Sequence, residues 1–242
     1  LGIFNALQNL GIQVVNFEDL GSGASLANIT FNELYDVPQI SEGNLYWGSA
    51  YFFVRDEFAD ATPCHYRNPV ESLLLTFGGT DQHNLTQKLL NVIYTPCREN
   101  NIHISIVTGP GYSYYSELEQ FVAQDPTISL THATGVVSKI MEKIDIAITS
   151  NGRTVYEMAH MNIPAIVVPQ HERERTHAFA CEENGFIALE PYQSDITERA
   201  VLAKLEMLIN KPNYRKTLFG RLEKFNFSQN KHRVIRMIED LL

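Results

Sequence analysis

The chain has 242 residues, 44% of them hydrophobic and 19% charged, with a formal net charge of −9. That suits one large domain, or one and a half small ones, around a real core. The acidic balance argues against a general nucleic-acid binder, which needs a basic face. It leaves room for an anionic nucleotide, because backbone N–H groups at helix N-termini bind phosphate without net positive charge. Cys64, Cys97 and Cys181 are odd in number and far apart, with no C-x-x-C pair. They fit a reducing, cytoplasmic setting better than a disulfide framework or a zinc ribbon. No apolar run approaches the ~20 residues of a membrane span, and no signal-peptide pattern is present. The N-x-S/T triplets at Asn28, Asn84 and Asn226 are read as chance.

In chain order, Leu1–Leu10 reads as the end of a helix feeding a strand at Ile12–Phe17, so the chain is expected to begin mid-domain, as a fragment would. Short apolar runs at Gln13–Phe17, Ile29–Phe31 and Tyr51–Val54, separated by turn signals such as Gly21-Ser22-Gly23, predict two or three strands. Ala59–Pro69 carries Pro63 and Pro69 and few aliphatic residues, the pattern of a linker. From residue 70 the pattern becomes regular. Apolar runs at Leu73–Phe77, Ile102–Val107, Ile128–Leu130, Ile144–Ile148 and Ala165–Val168 are too short and too continuous for amphipathic helices, and each reads as a buried strand. Helical spacings lie between them: Leu118, Phe121 and Val122, then Val136, Val137, Ile140 and Met141 on one face. The chain ends in helices marked by Val201, Leu202, Leu205, Leu208 and Ile209, and by Val234, Ile235, Ile238 and Leu241. Strand–helix alternation over this length predicts an α/β domain with a doubly wound parallel sheet.

Ligands of such sheets bind where strand ends meet helix starts, at the carboxyl edge. Phe77-Gly78-Gly79-Thr80-Asp81-Gln82-His83-Asn84 ends the first regular strand and opens a helix. Its glycines allow close backbone approach, and Thr80 or Asp81 is placed to cap the helix. Thr149-Ser150-Asn151-Gly152-Arg153-Thr154-Val155-Tyr156-Glu157 repeats the arrangement with small hydrogen-bonding side chains, an open glycine and an arginine. Glu157, about one turn into the helix, suits a ribose diol; it equally suits the helix dipole, and the residues alone leave both open. A third loop, Val168-Pro169-Gln170-His171-Glu172-Arg173-Glu174-Arg175-Thr176-His177, places amide and imidazole groups at the same edge. It also has the charge content of a solvated surface. Gly109-Pro110-Gly111-Tyr112 is either a ligand wall or a turn. The H-E-x-x-H metalloprotease motif fails at Arg175. The chain has no G-x-S-x-G elbow, no P-loop and no metal-ligand cluster of diagnostic spacing.

These strings, with Pro164 before a strand and Asn184-Gly185-Phe186 after it, resemble the PseG/SpsG family across essentially the whole chain. Its members are UDP-sugar hydrolases and glycosyltransferase-like proteins of pseudaminic acid, legionaminic acid and spore-coat polysaccharide pathways. The chain is most similar to the version fused behind a sialic-acid-type cytidylyltransferase domain. The resemblance implies the C-terminal half of a glycosyltransferase B fold, Rossmann-like, at 71–225. It further implies part of an N-terminal Rossmann-like domain at 1–58, a linker at 59–70, and a C-terminal helix at 226–242 packing back on the N-terminal part. UDP or a UDP-sugar is the implied ligand, with no cofactor, no metal, no nucleic acid and no membrane as partner. The implied reaction is cleavage of, or transfer from, a UDP-linked amino sugar; the alternative is a non-catalytic nucleotide-sugar module of a fused protein. Gly78, Gly79, Thr80, Asp81, Gly109, Ser150, Asn151, Gly152, Arg153, Thr154, Glu157 and Gln170 are the expected nucleotide-binding residues. The family's catalytic His lies in a Gly-rich loop that residues 1–58 lack, which leaves His171 and His177 as catalytic candidates here. His171 stands where the fused relatives often show Asn.

Overall fold

The computed structural model describes residues 2–242, so the expectation at Leu1 lies outside the described residues. The chain divides into two compact units: residues 1–55, 176–179 and 226–242 form one, and residues 56–175 and 180–225 the other.

In the first unit, helix α1 (Gly2–Asn9) precedes strands β1 (Val15–Phe17), β2 (Ile29–Asn32) and β3 (Leu45–Trp47). They form a parallel sheet in that order. The third strand is not the expected Tyr51–Val54. That segment is a 3-10 turn, Ser49–Tyr51, followed by extended chain. Its carbonyls face a helix instead of a ladder. Asn230, opening α8 (Asn230–Glu239), donates its side-chain amide to Ser49 O and Phe52 O. Phe52 itself packs edge-on to Phe227. The core here is Ile29, Phe31 and Val234, with Phe31 stacked between Phe17 and Tyr46.

The second unit holds β4 (Ser72–Thr76), α2 (Leu85–Glu99), β5 (His103–Thr108), α3 (Tyr115–Val122), β6 (Ile128–His132), α4 (Ser138–Met141), β7 (Ile146–Thr149), α5 (Arg153–His160), β8 (Ala165–Val167), β9 (Phe186–Ala188), α6 (Ile196–Asn210) and α7 (Pro212–Leu222). Six parallel strands pair in the order β6-β5-β4-β7-β8-β9. This is the doubly wound order of dinucleotide-binding sheets, and it reverses between β4 and β7. The central strands are continuously apolar because helices cover both faces: Leu73, Leu74, Leu75, Ile146 and Ile148 are all buried. The helical face expected at Val136–Met141 shrinks to one turn, and Val136 is half exposed. The sixth strand, β9, was not expected from the sequence. Its three residues follow Gly185, whose φ of +93° makes the turn that starts them. No described helix is long and apolar enough to cross a membrane.

Residues 59–69 carry no strand and no described helix longer than a turn, yet they are fastened along their length. Cys64 N donates to Met161 O, and Tyr66 OH to Pro212 O. Arg67 pairs with the buried Asp145, whose other oxygen caps Glu71 N and Ser72 N at the start of β4. The strongest anchor comes from α7. Arg215 is fully buried and donates to Leu208 O, Arg67 O and Asn68 Oδ1 at 2.6–3.0 Å, with its guanidinium over the Tyr66 ring. Removing it leaves a cavity and three unmet acceptors. Arg215→Ala is therefore expected to lower the stability of the chain by about 3–5 kcal/mol in chemical denaturation, and Arg215→Lys by about half as much, since one ammonium cannot serve all three acceptors in the same geometry. A loss below about 1 kcal/mol for the alanine variant would contradict this role.

Candidate functional site at the carboxyl edge of the sheet

Because every strand of the six-stranded sheet runs the same way, the loops after β4, β5, β7 and β8 gather at one edge. The loops after β4 and β7 flank the reversal in strand order, the place where open α/β sheets bind their ligands.

The loop after β4 begins at Gly78, whose φ of +74° is a left-handed conformation that favours glycine. No heavy atom lies within 4 Å of the position a Cβ would take at Gly78, Gly79 or Gly152, so the backbone at all three is open. Gly109 is a glycine for the opposite reason. A Cβ there would fall closer than 3.0 Å to Gly79 Cα, Gly79 O and Gly78 O. Gly109 N and Gly111 N donate to Gly78 O and Gly79 O, so the loop after β5 buttresses the loop after β4 from behind. Tyr112, buried at the end of that buttress, donates its hydroxyl to Asn84 Oδ1 at 2.6 Å. Burial, helped by the charge of Asp81, pushes the Tyr112 phenol well above its ordinary range and keeps that donor protonated.

Asp81 resolves the choice of cap. Its buried carboxylate accepts from Leu85 N at 2.7 Å and Thr86 N at 2.8 Å, while Thr80 is exposed. An anion already sits on the first turn of α2, supplied by the chain itself. Helix α5 opens on Gly152, which has no side chain, and Arg153 follows on the exposed side. Ser150 and Asn151 are buried just before it, and Thr154 is half-buried in its first turn. Glu157 is buried in the second turn, 6% exposed.

The loop after β8 ties the strand ends together. Gln170 Nε2 donates to Phe77 O at the end of β4 (3.0 Å). Gln170 N and Asn151 N both donate to one carboxylate oxygen of Glu174, at 2.8 and 3.2 Å, and Asn151 Nδ2 donates to Glu174 O at 2.8 Å. Three strand ends, those of β4, β7 and β8, are thus clasped by Gln170 and Glu174. The fully buried Thr149 hydroxyl and Gln170 Oε1 have no hydrogen-bond partner among the described residues.

The two catalytic candidates do not share a unit. His171 is exposed in the second unit, with its ring 5.4 Å from that of His83, which in turn lies 5.8 Å from the Tyr192 ring. His177 is buried in the first unit, edge-on to Tyr35 at 5.1 Å. Sequence reasoning singled out neither Glu174 nor the His83–Tyr192 contact. Glu174 lies in a charge-rich stretch that reads as solvated surface, and its partner Asn151 is 23 residues away. Only the placement of His83 just after the first glycine loop hinted at its position at this edge.

Comparison with known proteins agrees with this architecture. An uncharacterised protein of Methanocaldococcus jannaschii is 28% identical over 137 residues, which are 54% of this chain and 28% of the relative, so the chain spans well under two thirds of that relative's length. Among solved structures, MurG of Acinetobacter baumannii is similar over 98% of this chain and 69% of its own (TM-score 0.64, 18% identity). MnaA of S. aureus, solved with UDP, is similar over 99% and 73% (TM-score 0.68, 13% identity). The pneumococcal O-GlcNAc transferase GtfA, solved with UDP and GlcNAc, is similar over 91% and 46% (TM-score 0.60, 16% identity). At these identities the likeness is one of fold, the glycosyltransferase B fold with its Rossmann-like parallel sheet. Residues 73–232, well over half of the chain, match the glycosyltransferase family 28 C-terminal domain, and the chain belongs to that family.

Proposed function

We propose that the carboxyl edge of the six-stranded sheet holds the diphosphate of a UDP-sugar, and that the chain serves an enzyme that cleaves or transfers from a UDP-linked amino sugar. The observation that carries this reading is the pair of open loops at the strand-order reversal. One is buttressed from behind and exposes Gly78 and Gly79; the other leads through Gly152, equally open, into the N-terminus of α5. Backbone N–H groups and a helix N-terminus are suited to a diphosphate in a chain whose net charge is −9. In this reading Gly78, Gly79 and Asn151–Thr154 take the phosphates, with the Arg153 guanidinium beside them. Glu157 accepts from the ribose hydroxyls, and Gln170 and His171 face the bond between sugar and phosphate. Asp81 and Gly109 support the seat from behind, one by capping α2 and the other by backing the first loop.

The chemistry follows from where charge appears. When the bond from the sugar anomeric carbon to the phosphate oxygen breaks, its electron pair stays on the diphosphate. Water or an acceptor hydroxyl attacks the carbon and gives up its proton. Fixed N–H donors aimed at the leaving group stabilise that developing charge without reorganising. UDP in two structural neighbours of the same fold supports the choice of nucleotide. The resemblance to the PseG/SpsG family supports an amino sugar of nonulosonic acid or surface polysaccharide synthesis, and an associated cytidylyltransferase domain.

The chain is expected to bind UDP at least about tenfold more tightly than UMP in calorimetric titration, because the second phosphate gains charge-assisted contacts of roughly 1.5–3 kcal/mol each. Equal affinities, or no binding by a folded sample, would sink the assignment. Glu157→Ala is expected to weaken UDP by about tenfold or more. On that variant, 2′,3′-dideoxy-UDP should bind no more weakly than UDP does. Undiminished UDP binding would return Glu157 to a role at the helix dipole.

A further inference from the structure

Two backbone N–H groups that converge on one oxygen at the end of a parallel strand form an anion seat. Here that seat is filled from within the chain. Asn151 N, two residues before α5, and Gln170 N, just past β8, both point at the same carboxylate oxygen of Glu174. The Asn151 amide belongs to the stretch that the proposed function gives to the phosphates, and the Gln170 amide to the loop that it sets at the bond between sugar and phosphate. Around them, the buried Thr149 hydroxyl and Gln170 Oε1 lack partners among the described residues, so the same strand ends hold polar atoms that the chain itself does not satisfy.

We infer that Glu174 is a positioning residue that fills the seat as an internal anion, so that its carboxylate and the ligand diphosphate compete for the Asn151 and Gln170 amides. This inference rests on the assignment of the diphosphate to the carboxyl edge. Two negative groups cannot share donors a few ångströms apart without strong mutual repulsion. When the diphosphate enters, the Glu174 side chain leaves. While the seat is empty of ligand, the carboxylate keeps both amides paired and aimed inward, so that buried N–H groups are not left unmet. The turn that carries Glu174 does not depend on this bond. Its main chain is held separately, by Asn151 Nδ2 on Glu174 O. Gln170 likewise keeps its own tie to Phe77 O. A change confined to the carboxylate therefore alters the charge in the seat and leaves the clasp in place.

The test is titration of the full chain and of its Glu174→Gln and Glu174→Ala variants with UDP and with uridine. Glu174→Gln keeps the shape and an acceptor oxygen and removes only the charge. It is expected to bind UDP about tenfold more tightly than the parent chain, with uridine affinity unchanged. Glu174→Ala, which removes the competitor altogether, is expected to shift UDP in the same direction, and it serves if the glutamine variant does not fold. UDP affinity that stays level or falls in the variants would overturn the inference and make Glu174 a structural tie. Loss of thermal stability without a gain specific to UDP would say the same. A parent chain and variants that are folded yet all fail to bind UDP would instead overturn the diphosphate assignment itself, and this inference with it.

Discussion

Parallel pairing is the constraint from which the rest of this molecule follows. Six strands that all run one way put every strand end, every following loop and the start of every connecting helix at a single edge of the sheet. The order β6-β5-β4-β7-β8-β9 then reverses between β4 and β7, the switch point beside which open α/β sheets bind their ligands. The Asp145 carboxylate, held by Arg67 and by the first amides of β4, fixes the opposite, amino end of β4. One end of the central strands is thus closed by charge pairing, and at the other the backbone of Gly78, Gly79 and Gly152 has open space beside it.

Glycine and acid at that open edge each play two separable roles. Gly79 and Gly152 face open space, whereas Gly109 is a glycine because the loop after β5 lies directly on the loop after β4. Asp81 and Glu174 are both carboxylates on N–H groups at helix and strand ends. Asp81 is buried and joined to two amides of α2 itself, the arrangement of a permanent cap. Glu174 comes from the loop after β8, is only half-buried, and reaches one amide of its own loop and one of the loop after β7. In the proposed function an acidic chain holds its anion with oriented peptide dipoles and the Arg153 guanidinium.

Much of this was legible in the sequence, for physical reasons that also explain what was not. β4, β7 and β8 announced themselves because strands covered on both faces are largely apolar, and β5 through its buried Ile104, Ile106 and Val107. The alternation of those runs with helices predicted the doubly wound sheet, and the two glycine-bearing strand ends that flank its reversal stood out as sequence strings. Short elements escaped. β3 and β9 have three residues each. Tyr51–Val54 has the composition of a strand, but its Phe52 carbonyl is taken by the Asn230 side chain, a partner 178 residues away. Val136 has helical spacing with Ile140 yet lies outside the single turn of α4. Of the site, the loops were visible and their wiring was not. Which of Thr80 and Asp81 caps α2, why Gly109 must lack a side chain, and where the Glu174 carboxylate points all depend on segments brought together by the sheet.

The central claim is that the backbone amides at the β4 and β7 strand ends form the seat of a nucleotide diphosphate. Amide chemical shifts of the isotope-labelled chain, recorded as UDP is added, test it most directly. The largest shifts are expected at Gly78, Gly79, Asn151, Gly152, Arg153 and Thr154, with smaller ones at the buttress residues Gly109 and Gly111. Shifts centred away from the carboxyl edge, for instance on the outer strand β6 or on α7, would contradict the account.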